Sequence, residues 1–204
     1  MDVKITRLEN NRGVTLMEVI VVCLLIGVAA SVALPRALRS TPRQEVVRVA
    51  KQLTRDLELV RTRAVSAKRV VRVRFDPAED FYTAFMDTSA ARSGSIMEEI
   101  GEVHESKLVS RGSFAGLPGV NLPKRVQFGA GDATAGPLGE PVDDPVLLDS
   151  DRVEFNSRGM VTPLGTTGVI YVRHRDDPSV VAAVTVSGAG AFQTWHYRNG
   201  VWER

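Results

Sequence analysis

One segment near the amino terminus limits what this chain can fold into more than any other feature. Residues 14–34 (VTLMEVIVVCLLIGVAASVAL) are mostly apolar and carry a single charge, at Glu18. At about 1.5 Å per residue, a helix of this length spans about 31 Å, the thickness of the hydrocarbon core of a bilayer. The sequence therefore predicts a membrane-spanning helix at 14–34, between a polar segment at 1–13 and a globular region at 35–204.

The average composition is that of a soluble globular protein, because 44% of the 204 residues are hydrophobic and 25% are charged. These values exclude a disordered or fibrous chain as the overall description. The single cysteine, Cys23, excludes a disulfide framework and a zinc site built from several cysteines. The formal net charge of +2 is small and by itself indicates no class of partner.

This near-neutral total conceals two segments of opposite charge. Residues 35–75, the basic segment, contain twelve Lys and Arg and three acids, whereas residues 76–204, the acidic segment, contain eleven basic and eighteen acidic residues. Opposite charges on one chain favour contacts between copies, and we expect Arg48, Lys51 and Arg55 to take part in inter-subunit electrostatics. The alternative is that this face is solvated or lies near lipid headgroups.

Beyond the apolar run, the pattern becomes that of an amphipathic helix. Apolar residues recur at spacings of three and four up to about residue 67, with basic residues on the opposite face. Pro35 and Pro42 predict a kink or bend in one long helix that has a membrane half and an amphipathic half. The predicted buried face consists of Val46, Val49, Ala50, Leu53, Leu57, Val60 and Ala64.

The rest of the chain predicts β-structure, because short apolar segments are separated by Gly- and Pro-rich turns. Residues 89–151 are rich in Gly, Pro, Asp and Ser, and they predict a long variable loop with one short helix or strand. The helix and the strands together predict an α+β fold in which the amphipathic helix lies against the sheet. The strands are predicted at 70–75, 81–86, 125–128, 152–155, 168–173, 180–187 and 192–198.

The junction between the polar leader and the apolar run carries the strongest chemical signal. Gly13 ends the leader, and Glu18 stands in the first part of an otherwise apolar helix. A carboxylate in an apolar environment is costly unless it is paired. A cut after Gly13 gives Val14 a positive amine about one helical turn from Glu18, so the carboxylate can neutralise that amine or the amine of a neighbouring chain.

The segment GVTLMEVIVVCLLIGVAASVALP closely resembles the class III signal and amino-terminal helix of type IV pilins and type II secretion pseudopilins. The match comprises Gly13 before the cut and Glu18, Gly27 and Pro35 as the fifth, fourteenth and twenty-second residues after it. Val14 departs from the family, which usually has Phe or Met there. The resemblance implies a pilin-like fold, in which a long amino-terminal helix packs on antiparallel β-sheet, and it implies assembly roles for Glu18, Gly27 and Pro35.

The carboxyl-terminal part resembles a narrower group, the H-type minor pseudopilins (GspH) and the related FimT/FimU-type minor pilins. The similar stretches are 153–159 (VEFNSRG), 165–173 (GTTGVIYVR) and 184–190, which contains TVSGAG. The group usually has an Arg soon after the last glycine turn, and here Ala191 and Phe192 follow Gly190 instead.

The resemblance implies a structural subunit of the periplasmic pseudopilus that polymerises through its amino-terminal helix. Implied partners are other pseudopilins or pilins, the inner-membrane assembly platform, and a prepilin peptidase that cuts after Gly13 and N-methylates Val14. The implied location is a single pass of the inner membrane, with the leader cytoplasmic and the carboxyl-terminal domain periplasmic. The alternative is a type IV minor pilin for pilus initiation or DNA uptake, with a nucleic-acid patch at Arg173, Arg175, Arg198 and Arg204.

Two simpler interpretations of the amino terminus stay open. Small residues at 28–30 and 31–33 suit an ordinary cleaved signal peptide, and the hydropathy alone suits a plain membrane anchor. Glu18 inside the apolar run argues against the signal peptide, because such regions are normally uncharged.

No pattern in the sequence indicates an enzyme or a cofactor. His104, His174 and His196 are far apart, and no nucleophile, phosphate-loop or metalloprotease motif is present. A group of aspartates offers oxygen ligands of the kind calcium prefers, although a solvated acidic loop explains it more simply, and we predict no metal. These aspartates are Asp143, Asp144, Asp149 and Asp151.

Overall fold

The structure is a computed structural model, and it divides the chain into two compact units, Met1–Ser40 and Thr41–Arg204. The described residues of the first unit form one helix, α1 (Leu16–Ala37). The second unit begins with α2 (Pro42–Ala67) and continues as β-structure. The structure describes residues 16–37, 41–87, 103–105, 109, 111–114 and 116–204.

Both ends of α2 are defined by local hydrogen bonds. The Thr41 hydroxyl accepts from the backbone N–H of Gln44 at 3.4 Å, and the Gln44 side chain accepts from the backbone N–H of Thr41 at 3.3 Å. This capping box, with Pro42 as the first helical residue, satisfies donors that the first turn leaves unpaired. The helix ends at Lys68, whose φ of 53° places it in the left-handed region.

The strands of the second unit form two antiparallel sheets. The first runs in the order β4-β5-β2-β1-β8-β9 with β3 also paired to β2, and the second in the order β13-β12-β11-β10-β6 with β7 also paired to β10. The strands are β1 (Val71–Asp76), β2 (Phe81–Asp87), β3 (Val103–Glu105), β4 (Gly112–Phe114), β5 (Leu117–Asn121), β6 (Val126–Phe128), β7 (Val146–Leu147), β8 (Arg152–Phe155), β9 (Val161–Thr162), β10 (Gly168–His174), β11 (Val181–Val186), β12 (Phe192–Arg198) and β13 (Val201–Glu203).

The hydrophobic core is shared by α2 and both sheets. Leu53 and Leu57 on α2 are almost completely buried, together with Phe75 and Phe155 of the first sheet and Ile170 of the second. Each large apolar side chain of this kind contributes about 1.5–3 kcal/mol when it leaves water. The buried apolar residues of α2 are the seven predicted from the helical period, so that prediction is confirmed.

A smaller apolar cluster covers the other face of the second sheet. Val169, Tyr171, Ala183 and Trp195 alternate with the core residues along their strands, as side chains on opposite faces of a sheet must. Trp202 of β13 packs against this cluster, and its indole N–H donates to a backbone carbonyl at 2.7 Å. The second sheet is therefore buried on both faces over part of its area.

The architecture confirms the predicted α+β fold, a helix packed on antiparallel sheets, and all seven predicted strands are present within a residue or so at each end. The prediction of a long loop with one short element at 89–151 was wrong for the described part of that region. Besides β6, which is the predicted strand at 125–128, four more strands lie there, β3, β4, β5 and β7, along with a 3₁₀ turn at Asp149–Asp151. These four are two to five residues long and show no apolar period, and they form by pairing with other strands.

Candidate functional site

The predicted processing residues fall partly outside the described part of the chain. Gly13 and Val14, the predicted cleavage residues, lie outside the described residues. Glu18, Gly27 and Pro35, the predicted assembly residues, lie within the bounds of α1. Glu18 is in the first turn of α1, and a side chain added at Gly27 would meet nothing within 4 Å. The structure therefore places the three predicted assembly residues on one helix.

The described side chains of α1, at 16–29, are exposed on every side of the helix. Leu16 is 81% exposed, and Leu24, Leu25 and Ile26 each exceed 60%. An apolar surface of this kind is unusual on a helix in contact with water. Among the described residues, no helix combines the length and the apolar character needed to cross a membrane.

The exposed face of α2 carries a basic stripe, defined here as Arg48, Lys51 and Arg55. Their spacing of three and four places them on one side of the helix, opposite the core, and all three are exposed. None forms a hydrogen bond or ion pair with another described residue. No described residue of this chain therefore neutralises these three cationic groups.

A buried polar cluster on the opposite side of α2 was missed by the sequence analysis. Asp56 is only 4% exposed, although it lies among the apolar residues of the buried face. The Tyr82 hydroxyl donates to it at 2.5 Å, Gln52 donates at 3.1 Å, and the Arg111 guanidinium donates to both carboxylate oxygens. The signal that could have identified it is a carboxylate at an apolar position of the helical period.

This cluster joins three segments that are distant in sequence. Asp56 lies on α2, Tyr82 on β2, and Arg111 immediately before β4. Burial and then the Asp56 carboxylate raise the pKa of Tyr82, which therefore stays a neutral donor. The hydrogen bond to Asp56 likewise raises the pKa of Arg111. A buried carboxylate satisfied by three donors fixes the position of α2 against the first sheet.

A second contact explains two glycines of the carboxyl-terminal motif. The Arg61 guanidinium of α2 donates to the carbonyl of Gly159 at 2.8 Å. A Cβ at Gly190 would lie 2.8 Å from Arg61 Nε and 2.4 Å from the Gly159 carbonyl oxygen, and one at Gly159 would lie 3.2 Å from Arg61 Nε. Both glycines also have positive φ, 76° and 74°, a conformation that other residues rarely adopt. The two glycine turns therefore enclose this arginine.

The structure does not bring the predicted nucleic-acid patch together on one surface. Arg204 stacks 4.7 Å from the Trp195 ring, on the face of the second sheet away from α2. Arg175 forms an ion pair with Asp80 at 2.6 Å, and Arg198 lines a cavity beside α2. The four patch residues are Arg173, Arg175, Arg198 and Arg204.

The acidic loop also differs from a metal site in its geometry. Asp143, Asp144 and Asp149 are exposed, and burial with the nearby charge of Asp144 raises the pKa of Asp151. Among the described residues, no group of three or more His, Cys, Asp or Glu side chains is arranged to hold a metal ion.

Comparison with solved structures finds minor pilin-like subunits. The chain is similar to the minor pseudopilin EpsH of the type 2 secretion system of Vibrio cholerae in two structures, at 16% and 15% identity, each with a TM-score of 0.46. They cover 74% and 76% of this chain and 95% of the EpsH chain. The type IV minor pilin FimU of Pseudomonas aeruginosa (strain PAO1) is similar at 15% identity and a TM-score of 0.42, covering 74% of this chain and 88% of its own.

No family model matches the chain, and no curated protein does. The similar structures are an H-type minor pseudopilin and a type IV minor pilin, the two groups that the sequence resembles.

We predict that Asp56→Asn lowers the free energy of unfolding by about 2 kcal/mol, because hydrogen bonds to charged groups contribute about 1.5–3 kcal/mol. Arg111 is 45% exposed, and its hydration keeps the loss in the lower part of that range. Urea unfolding of the full-length chain in detergent measures the effect. Glu58→Gln, at an exposed acid of the same helix, is the control and changes stability by less than about 0.5 kcal/mol. Equal effects of the two variants would show that the Asp56 cluster does not stabilise the fold.

Proposed function

We propose that this chain is a minor pseudopilin, a structural subunit of the type II secretion pseudopilus with a role in protein secretion. The observation that carries the proposal is the difference between the two units. The second unit buries the apolar face of α2 in its own core, while α1 exposes apolar side chains on every described side. An apolar helix attached to a complete globular domain suits a subunit that assembles through that helix.

The processing step follows from the amino-terminal motif. A prepilin peptidase removes residues 1–13, and Val14 becomes the N-methylated first residue of the mature chain. The Glu18 carboxylate then pairs with the new amine of its own chain or of its neighbour, which removes the cost of a lone charge among apolar helices.

The location follows from the same segment. Residues 14–34 form a single pass of the inner membrane before assembly, with the leader in the cytoplasm and residues 35–204 in the periplasm. In the filament the α1 helices of neighbouring pseudopilins replace the lipid around these apolar side chains. The inner-membrane assembly platform adds the subunits to the filament. This structural role requires no catalytic residue or cofactor in the chain.

The basic stripe on α2 gives the filament its lateral selectivity. In a helical stack, Arg48, Lys51 and Arg55 of one subunit face the acidic segment of the next, because the two segments carry opposite net charge. Exposed charges contribute mainly to encounter and register, while apolar contacts supply the larger part of the affinity.

Processing is tested by the intact mass of the chain recovered from membranes. We expect a chain that begins at Val14, with or without one methyl group, and full retention of residues 1–13 in a Gly13→Val variant. Glu18→Gln serves as the matched control, since it is cleaved normally but fails to co-assemble. A mature chain that begins at any residue other than Val14 would refute the proposed cleavage.

Charge reversal tests the basic stripe. We expect Arg48→Glu, Lys51→Glu and Arg55→Glu together to reduce co-assembly with partner pseudopilins at least about tenfold at low salt, and less at high salt because exposed charges are screened. Co-purification and cross-linking of the full-length chains provide the measurement. The matched control reverses Arg63, Lys124 and Arg158, which are exposed away from the stripe and give the same change in charge. Unchanged assembly of the stripe variant at low salt would disprove this role.

Duplex-DNA binding separates secretion from the pilus and DNA-uptake alternative. Because the acidic segment has a net negative charge and Arg175 is already paired with Asp80, we expect no binding at about 150 mM salt in a filter-binding titration. Affinity that falls steeply with salt, and that is lost in Arg173→Gln with Arg198→Gln, would instead favour the minor-pilin role.

A further inference from the structure

A cavity of about 440 Å³ opens where the first turns of α2 meet the ends of β11 and β12. Its volume lies within the range of small-molecule binding sites. The walls are formed by Val46 and Val181 on the apolar side and by several polar groups, among them Arg43, His196 and Arg198. None of these three takes part in the core or in the buried cluster around Asp56.

His196 is the least satisfied polar group of this cavity. Its Nδ1 atom is buried and has no hydrogen-bond partner among the residues that the structure describes. Buried polar atoms without a partner are rare in folded proteins, and a missing ligand is one of the physical reasons for them. Burial lowers the pKa of His196 most, the nearby charges of Lys51 and Arg43 lower it further, and the charge of Glu203 raises it.

The two arginines at this cavity have no partner in the described part of the chain. Arg43, in the first turn of α2, and Arg198, at the end of β12, are exposed and form no hydrogen bond or ion pair with another described residue. Guanidinium groups bind carboxylates and phosphates through two parallel hydrogen bonds. Two free guanidiniums beside an unsatisfied imidazole form a site for an oxyanion.

The charge balance selects the kind of oxyanion. Asp132 also lines the cavity. Glu203 lies opposite His196 in the β12–β13 pair, and its charge raises the pKa of that ring. The three cations Arg43, Lys51 and Arg198 therefore exceed the two carboxylates by one charge. One carboxylate neutralises this excess, whereas a doubly charged phosphate overshoots it.

We propose that this cavity binds a carboxylate group, held by the guanidiniums of Arg43 and Arg198 against the imidazole of His196. The carboxylate comes either from a small free acid or from an acidic segment of a polypeptide, since both present the same chemistry. Every residue that lines the cavity belongs to the second unit and lies outside the basic stripe, and Lys51 of the stripe contributes only its nearby charge.

The test is a titration of the full-length chain in detergent, followed by the NMR signals of the histidine rings and by calorimetry. The probes are butyrate, which carries one carboxylate, inorganic phosphate, and an acetylated peptide with the sequence of residues 140–151 (EPVDDPVLLDSD). We expect a carboxylate probe to shift the His196 signals and to raise the pKa of that ring, because a bound anion favours the charged imidazole. Arg43→Gln with Arg198→Gln weakens binding at least about tenfold. Arg158→Gln, at an exposed arginine distant from the cavity, leaves it unchanged.

The probes distinguish the sources. Binding of butyrate but not of the peptide identifies a small acid, and tighter binding of the peptide identifies an acidic polypeptide segment; both results support the carboxylate site. Binding of phosphate alone overturns the assignment, as does equal weakening by Arg158→Gln. An absence of shifts at His196 with all three probes overturns the site itself.

Discussion

The two sheets of the second unit depend on one helix, because α2 contributes apolar side chains to a core that both sheets share. Leu53 and Leu57 are buried in this core, and removing such a side chain typically costs about 2–5 kcal/mol. The same 3.6-residue period that directs these leucines inward directs Arg48, Lys51 and Arg55 outward. Because its main apolar face is used within the domain, the surface that α2 offers to partners is mostly charged and polar, with Leu59 and Val65 as its large apolar side chains.

The position of α2 in that core is fixed by polar contacts as well as by packing. Apolar side chains alone tolerate small rotations and shifts of a helix, whereas hydrogen bonds require particular atoms to meet. Asp56 fixes one side of α2 against Tyr82 of the first sheet, and Arg61 fixes a later turn between two glycine turns. The basic stripe, which shares the helix with both anchors, is consequently held at a defined angle to the sheets.

The parts of the fold that the sequence predicts are those with a long regular pattern. The buried face of α2 follows from its period, and β10 and β11 follow from continuous apolar runs. β4 and β9 were not predictable, because their sequences, GSF and VT, show no apolar alternation and these strands form through pairing. For the same reason the sequence groups Arg198 with Arg204, although strand alternation and the last turn place them on opposite faces of the second sheet.

The candidate sites were likewise predictable only where they depend on one regular element. Exposure of the basic stripe was predictable, since it depends only on residues of one helix. The Asp56 cluster and the His196 cavity were not, because each combines residues that are far apart in sequence, and an isolated Asp or His carries no signal of its partners. The Asp56 cluster was closer to being predictable than the His196 cavity, because a carboxylate on an apolar helix face already requires a partner.

In the proposed filament, the apolar contacts of α1 and the ion pairs of α2 differ in strength, so the two helices have different roles. Each exposed leucine or isoleucine of α1 gains about 1.5–3 kcal/mol when a neighbour covers it, whereas an exposed ion pair contributes about 0–1 kcal/mol. The charges of α2 are also screened beyond about 8 Å at physiological salt. The affinity between subunits must therefore come from α1, which has little means of distinguishing one apolar helix from another. Selection among partners is left to groups with defined geometry, which in this chain are the charges fixed on α2.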